Sequence, residues 1–338
     1  MNRSLLLVVP ASFALVTCGG SAREASDAGT TDAGLSDSGP GGCHQQLPSP
    51  PAAAAASPSS PLVYAIRTVD FGETSGWQHI GLDIDGKDTT ASSTNVCQLA
   101  QGAPVTVQVD GSCGIDNSFG SNIVPAGAGT VAAQRNAAIA AGGPTDLLVL
   151  DGSVSGADAT NVAGFIINGL ALGHAPRWDG TDAWPVDANS LHGTNASSAA
   201  IAFPDGFRVG GQWFGARAIG PGSMTMGDEA PRWPLTDVSV SLTESGLNTV
   251  SGTLSGIIPT TDLVNLLTAF ENATAQCSAG NDLVAIVAAA SDILSDGTQD
   301  PSRPCNGISV AFNFTASLAT LGSIQADPGL PGCGDGGM

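Results

Sequence analysis

Hydrophobic and polar positions follow two periods along this chain. A two-residue alternation marks several segments as strands with one face turned inward. "DVSVSL" (Asp237–Leu242) sets Val238, Val240 and Leu242 on one face and Ser239 and Ser241 on the other. "ISVAFNF" (Ile308–Phe314) directs Ile308, Val310, Phe312 and Phe314 inward, and "VTVQV" aligns Val105, Val107 and Val109. "LVYAIRTV" (Leu62–Val69) is rich in β-branched residues, whereas "DLLVL" and "VAGFIIN" are continuously apolar, as in strands covered on both faces. A 3.6-residue period appears three times. "TVAAQRNAAIAA" (Thr130–Ala141) stops at Gly142-Gly143. "TTDLVNLLTAFENA" (Thr260–Ala273) opens on a Thr cap and spaces Leu263, Leu266, Leu267 and Phe270 along one side, and "NDLVAIVAAASDIL" (Asn281–Leu294) opens on an Asn cap with Leu283, Ile286, Val287, Ala290, Ile293 and Leu294 on its inner side. The last two pair as a helical hairpin with Cys277 in its turn. Together these elements predict a mainly β fold, a jelly-roll-like β-sandwich with a helical hairpin inserted before the last strand.

The pattern changes before Leu62. Arg3 precedes an uncharged apolar run, Leu5–Val16, that is short for a membrane span and ends in "LVTC". This resembles the lipobox of bacterial lipoproteins. The resemblance implies cleavage before Cys18, lipidation of Cys18 and, because Gly19 rather than Asp follows, an outer-membrane destination. "GGSAREASDAGTTDAGLSDSGPGG" holds almost no large apolar residue, and "LPSPPAAAAASPSSP" favours extended, semi-rigid chain. The predicted organisation is therefore a signal peptide over residues 1–17, a disordered tether over 18–61 and a single β-rich domain over 62–330.

Composition narrows the partners. The net charge is −20 with a single Lys, Lys87. No basic stripe exists to neutralise phosphates, so nucleic acid is not an expected partner. The expected partners are the membrane, through the lipid anchor, and an extracellular glycan or protein. Of seven Cys, six remain if Cys18 carries lipid, and an even number in an exported chain points to disulfides. Fifteen pairings are possible for six Cys. Sequence proximity favours Cys97–Cys113 and Cys277–Cys305, with Cys43–Cys333 joining the ends.

The densest chemistry is acidic. "GLDIDGKDTT" carries Asp83, Asp85 and Asp88, and "VDGSCGIDN" carries Asp110 and Asp116. Alternating Asp with Gly suits the six to eight oxygen ligands of Ca²⁺. The spacing is not that of an EF-hand, since Gly86 falls at the fourth loop position and Thr94 at the twelfth. The segment instead resembles the D-x-D-G loops of calcium-stabilised extracellular domains, so Asp83, Asp85, Asp88, Asp110 and Asp116 are the expected ligands of a Ca²⁺ ion. No metalloprotease, nucleophile-elbow, P-loop or dinucleotide motif is present, and "GSVSG" has Val154 where a nucleophile would stand. A binding or adhesion role without catalysis is therefore the leading expectation. The alternatives are a hydrolase built on His174 or His192, and a purely structural envelope component.

Ala-Pro-Arg-Trp occurs twice, at Ala175–Trp178 and Ala230–Trp233, each followed by Thr-Asp at the same offset. A binding reading makes Trp178 and Trp184 a platform with Arg177 as a clamp. A structural reading stacks each Arg on its own Trp at a strand exit, with Asp182 and Asp237 pairing the two Arg. The repeat favours the structural reading. "WQHIGLDIDGKDTT", "GIDNSFG", "APRWDGTDAW" and the C-terminal "SDILSDGTQDPSRPCNGISVAF" together resemble a family of myxobacterial-type surface lipoproteins. That likeness implies a surface location and carries no activity.

Overall fold

A computed structural model describes residues 43–56, 60–73, 76–127, 130–195, 198–218, 222–225, 232–274 and 283–327. The fold is mainly β and sandwich-like, built on one mixed sheet of eleven strands. In chain order the strands are β1 (Leu62–Asp70), β2 (Thr145–Leu150), β3 (Gly164–Gly169), β4 (Ala183–Asp187), β5 (Ile201–Phe203), β6 (Phe207–Val209), β7 (Gln212–Gly215), β8 (Gly222–Thr225), β9 (Arg232–Gly246), β10 (Thr249–Pro259) and β11 (Gly307–Gln325). Helix α1 (Val131–Ala140) precedes β2, and α2 (Thr260–Thr274) and α3 (Leu283–Ala289) lie between β10 and β11. The inserted helical pair thus stands where the 3.6-residue period places it. Ile293 and Leu294 leave the helix, and Ile293 bridges to Gly307 instead.

The sheet runs β1-β2-β3-β4-β11-β10-β9-β7-β6, and β1 also pairs with β11. The β1–β2, β2–β3, β3–β4, β4–β11 and β11–β1 pairings therefore close a ring. A closed ring hides strand edges that would otherwise template aggregation. Val63, Ala65, Leu147, Val149, Ile167, Trp184, Val186 and Ala319 form one apolar cluster drawn mainly from these strands. A second, larger core includes Val238, Val240 and Leu242 of β9, Leu254 of β10 and Phe312 and Phe314 of β11, with Leu263 and Leu267 of α2 and Val287 of α3. The inward alternation read in β9 and β11 matches these positions. β11 goes further than alternation suggests, because Ser309 and Ala311 on its opposite face are also buried.

"VTVQV" is not a strand. Val105–Gln108 forms a 3₁₀ turn after Pro104, and Val105 is 56% exposed. The Gln108 amide donates to the Cys97 carbonyl, so tertiary contacts override the β propensity of its neighbours. The domain also starts earlier than Leu62. Gln45 N–H donates to the Cys113 carbonyl, Asp83 N–H donates to the Gln45 carbonyl, and Ala55 bridges to Thr160. Residues 43–56, expected within the tether, are therefore part of the domain surface, because their backbone groups find partners there.

Disulfides join Cys43 to Cys113 and Cys97 to Cys305. The expected Cys97–Cys113, Cys277–Cys305 and Cys43–Cys333 pairings are each excluded by one of these bonds, while Cys277 and Cys333 themselves lie outside the described residues. Topology rather than proximity decides. Gln98 N–H donates to the Arg303 carbonyl and Cys305 N–H donates to the Gln98 carbonyl, which brings Cys97 and Cys305 together across 208 residues.

Candidate metal centre

Between β1 and α1 the chain forms a lobe of turns rather than strands, held by side chains that accept from backbone amides. Asp83 Oδ1 accepts from Gly86 N–H at 2.7 Å and Lys87 N–H at 3.1 Å. Its Oδ2 meets His44 Nδ1 at 2.5 Å. Asp85 Oδ1 accepts from Lys87 N–H at 2.8 Å. Asp116 Oδ2 accepts from Ile84 N–H at 2.6 Å and Asp85 N–H at 3.3 Å. Asp-Gly alternation builds these turns because a short carboxylate caps amides two to four residues on. Gly114 lets the second acidic loop close on the first. Its φ is +72°, and a Cβ there would lie 2.6 Å from the Lys87 carbonyl oxygen and 3.3 Å from Asp83 Cγ. The adjacent Cys113, at φ +59°, is held by its bond to Cys43.

One ligand atom from each of Asp83, Asp85 and Asp116 lies within 4.8 Å of the others, and Asp83 and Asp116 are buried. Opposite oxygens around a Ca²⁺ ion, each at about 2.3–2.6 Å, stand about 5 Å apart, so the spacing fits. Asp110 and Asp292 extend the cluster electrically. Burial, with the charges of Asp85 and Asp292 behind it, pushes the Asp110 carboxyl up to about 8. Burial pushes Asp292 up to about 7, against the bonds it accepts from the Ser309 hydroxyl and amide. Burial also raises Asp83, Asp85 and, most strongly, Asp116, where Asp85 and Asp110 add to the rise. Two ionised carboxylates within 4.8 Å of each other repel by at least about 3 kcal/mol at an effective dielectric of about 20. The His44 hydrogen bond works against the rise at Asp83, and the Lys87 ammonium works against it at Asp85.

Asp85 Oδ2 is buried with no hydrogen-bond partner among the described residues. Hydrogen bonding from the Gln299 side chain lowers the Asp85 carboxyl in part, while Oδ2 stays outside close hydrogen-bonding geometry to any described donor. A buried carboxylate oxygen without a donor is costly unless a cation completes it. The residues present therefore fit a hard divalent cation.

Of the five expected ligands, Asp83, Asp85 and Asp116 converge. Asp110 lies within electrostatic range and accepts from Thr89 N–H. Asp88 is exposed and outside the cluster. Sequence reading missed His44, assigned to the tether, and Asp292, assigned to a helix end. The short repeat of Asp-Gly signals neither, since both arrive from distant segments.

The Trp platform is not formed. Trp184 is fully buried in the ring core, and Trp178 covers it with ring centroids 6.2 Å apart. The cation over Trp178 is Arg67, 5.5 Å from the ring centroid, not Arg177. Asp182 Oδ2 accepts from the backbone amides of Arg177 and Trp178, which holds Trp178 at φ +59°. In the second copy Ala230 and Pro231 lie outside the described residues. Arg232 there pairs with Asp187 at 2.9 Å and Asp327 at 3.3 Å, Trp233 packs edge-on against Phe119, and Asp237 pairs with Arg217 at 3.7 Å. The repeat is thus not one joint used twice, because its copies meet different neighbours.

Among the described residues the histidines form no triad. His174 Nδ1 contacts the Ala175 carbonyl, and the His192 backbone amide donates to the Ser198 carbonyl. Ser112 Oγ lies 3.1 Å from His79 Nδ1, but that pair is exposed and no carboxylate among the described residues hydrogen-bonds His79. Comparison with protein-family models, curated proteins and solved structures finds no match, so the acidic centre is read from its own geometry.

Proposed function

We propose that this chain is an exported, lipid-anchored binding domain of the outer membrane, without catalytic activity, whose turn-built lobe is stabilised by Ca²⁺. The observation that carries the ion is the convergence of Asp83, Asp85 and Asp116 around an unpartnered, buried Asp85 oxygen. Ca²⁺ suits this set better than Mg²⁺, which demands shorter bonds and a near-ideal octahedron. Bound there, the ion offsets the mutual repulsion of the carboxylates and ties the loop at Asp83 to the loop at Asp116. Its role is structural. The lipid anchor is supported by the "LVTC" sequence ending at Cys18, and two disulfides suit an oxidising compartment.

The test of the ion is calorimetric titration of the EDTA-stripped chain with Ca²⁺ and Mg²⁺. Saturable Ca²⁺ binding, weakened at least tenfold in Asp116→Asn, supports the reading. Equal, non-saturating heats for both metals overturn it. Acyl labelling that disappears in Cys18→Ala tests the anchor, and labelling of neither form removes it.

A further inference from the structure

The face of β11 that carries Ser309 and Ala311 changes character along its length. Ser309 and Ala311 are buried, and Asn117 of the acidic lobe donates to the Ala311 carbonyl. Ser317 and Ala319 are buried, with Ala319 in the ring core. Between these covered ends, Asn313 is half-buried and Thr315 exposed. Here the sheet opens into a groove of about 440 Å³, within the size range of ligand sites.

Register lays two polar rows across the floor of this groove, which Val69, Gly252 and Phe314 also line. One row runs Gln212, Thr243, Ser251, Thr315 and Thr68, crossing β7, β9, β10, β11 and β1. The next runs Ser241, Thr253, Asn313 and Asp70. A β-bulge sets the last strand. The register of β1 shifts between Ile66 and Thr68, so Arg67 is the extra residue and stacks on Trp178. Without that slip Arg67 and Val69 would face the groove in place of Thr68 and Asp70. The hydroxyls are pre-arranged, with Thr68 Oγ1 2.6 Å from Thr315 Oγ1 and Thr253 Oγ1 donating to Asn313 Oδ1 at 2.7 Å.

We propose that this groove binds a neutral polysaccharide strand laid across β7, β9, β10, β11 and β1, a proposal that rests on the reading of the chain as a binding domain but not on its ion. Hydroxyl and amide side chains both donate and accept, as sugar hydroxyls do. Neighbouring strands stand about 4.8 Å apart, close to the length of one hexose along an extended glycan, so successive sugars meet successive strands. Among the described lining residues Asp70 is the one ionisable group and none is cationic, so anionic polymers and phosphates are disfavoured.

Native gel electrophoresis of the full chain in gels cast with hydroxyethyl cellulose, xylan or laminarin tests this, with polygalacturonate as the acidic comparison. At least one neutral polymer retards the chain. Thr253→Val with Thr315→Val, which keeps the β-branched shape, weakens that association roughly tenfold, and Ser251→Trp, which fills the groove, abolishes it. Retardation by none of the three neutral polymers, retardation by polygalacturonate alone, or retardation unchanged in both variants overturns the proposal. Melting of the same samples with and without EDTA separates the two readings. An intact Ca²⁺ response with lost retention sinks the groove alone, and retention without a Ca²⁺ response sinks the ion alone.

Discussion

The sheet and the acidic lobe are held together by different physics. In the sheet, residues such as Val240, Leu254 and Phe312 are buried in an apolar core, and ladder hydrogen bonds satisfy the backbone. The lobe between Gly76 and Gly127 contains no strand and only 3₁₀ and π turns. Its amides are capped by Asp83, Asp85, Asp110 and Asp116, and both disulfides end in or beside it. The sheet's stability comes from non-directional burial and tolerates changes of solution. The lobe's stability comes from charges and cross-links and depends on ion, pH and redox state.

Perturbations that separate the two regions follow from this contrast. The largest effect is expected in the ring core, where Trp184→Ala costs about 3–5 kcal/mol. Its urea midpoint falls by the same amount with and without Ca²⁺, and a loss confined to EDTA would break the contrast. Replacing Cys97 and Cys305 together by Ala costs about 2–5 kcal/mol and also weakens Ca²⁺ binding, because Gln108 joins the bridge to the Asp292 carbonyl. Unchanged calcium affinity in this variant would detach the bridge from the centre.

Removal of the ion comes next. Calcium at a hundredfold excess over its dissociation constant adds about 2.7 kcal/mol, or about 5 °C in melting temperature for a domain of this size. An EDTA-insensitive melting curve would contradict the metal centre. The pH response of the EDTA-treated chain is opposite in sign to that of a salt-bridged carboxylate. Asp292 and Asp110 are raised to about 7 and about 8 when folded, against about 3.9 unfolded. The native state therefore holds their protons more tightly, and the stability they contribute is complete below about pH 4 and is lost as pH rises to about 8. Urea midpoints at pH 5 and pH 8 are expected to fall with pH in EDTA and to level in excess Ca²⁺. The smallest effect belongs to Arg67→Ala at the bulge, about 0.5–1 kcal/mol from its loss over Trp178, with no change in calcium affinity.

Legibility in the sequence divides along the same line. The alternation of Val238, Val240 and Leu242, and of Ile308 through Phe314, reports burial directly, since a two-residue period is a local property of a strand. The helical pair before β11 was legible for the same reason. Asp83, Asp85 and Asp116 were legible as ligand types because Asp-Gly turns build loops that hold cations. His44 and Asp292 were not, because nothing local distinguishes a residue that travels to a distant site from one that meets solvent. The disulfides failed on the same ground. Neighbouring Cys suggested short loops, whereas the Gln98–Arg303 contact brought Cys97 to Cys305.

Local chemistry by itself determined that the chain is rich in strands, carries an inserted helical pair, and concentrates carboxylates in two short acidic segments. Those properties depend on side-chain period and turn preference, which act within a few residues. Tertiary structure alone decided that β1 to β4 close a ring with β11, that Trp184 is core rather than platform, and that the Arg67 bulge leaves a polar groove open. Each depends on register between segments far apart in sequence, where a one-residue slip exchanges the buried and open faces of a strand.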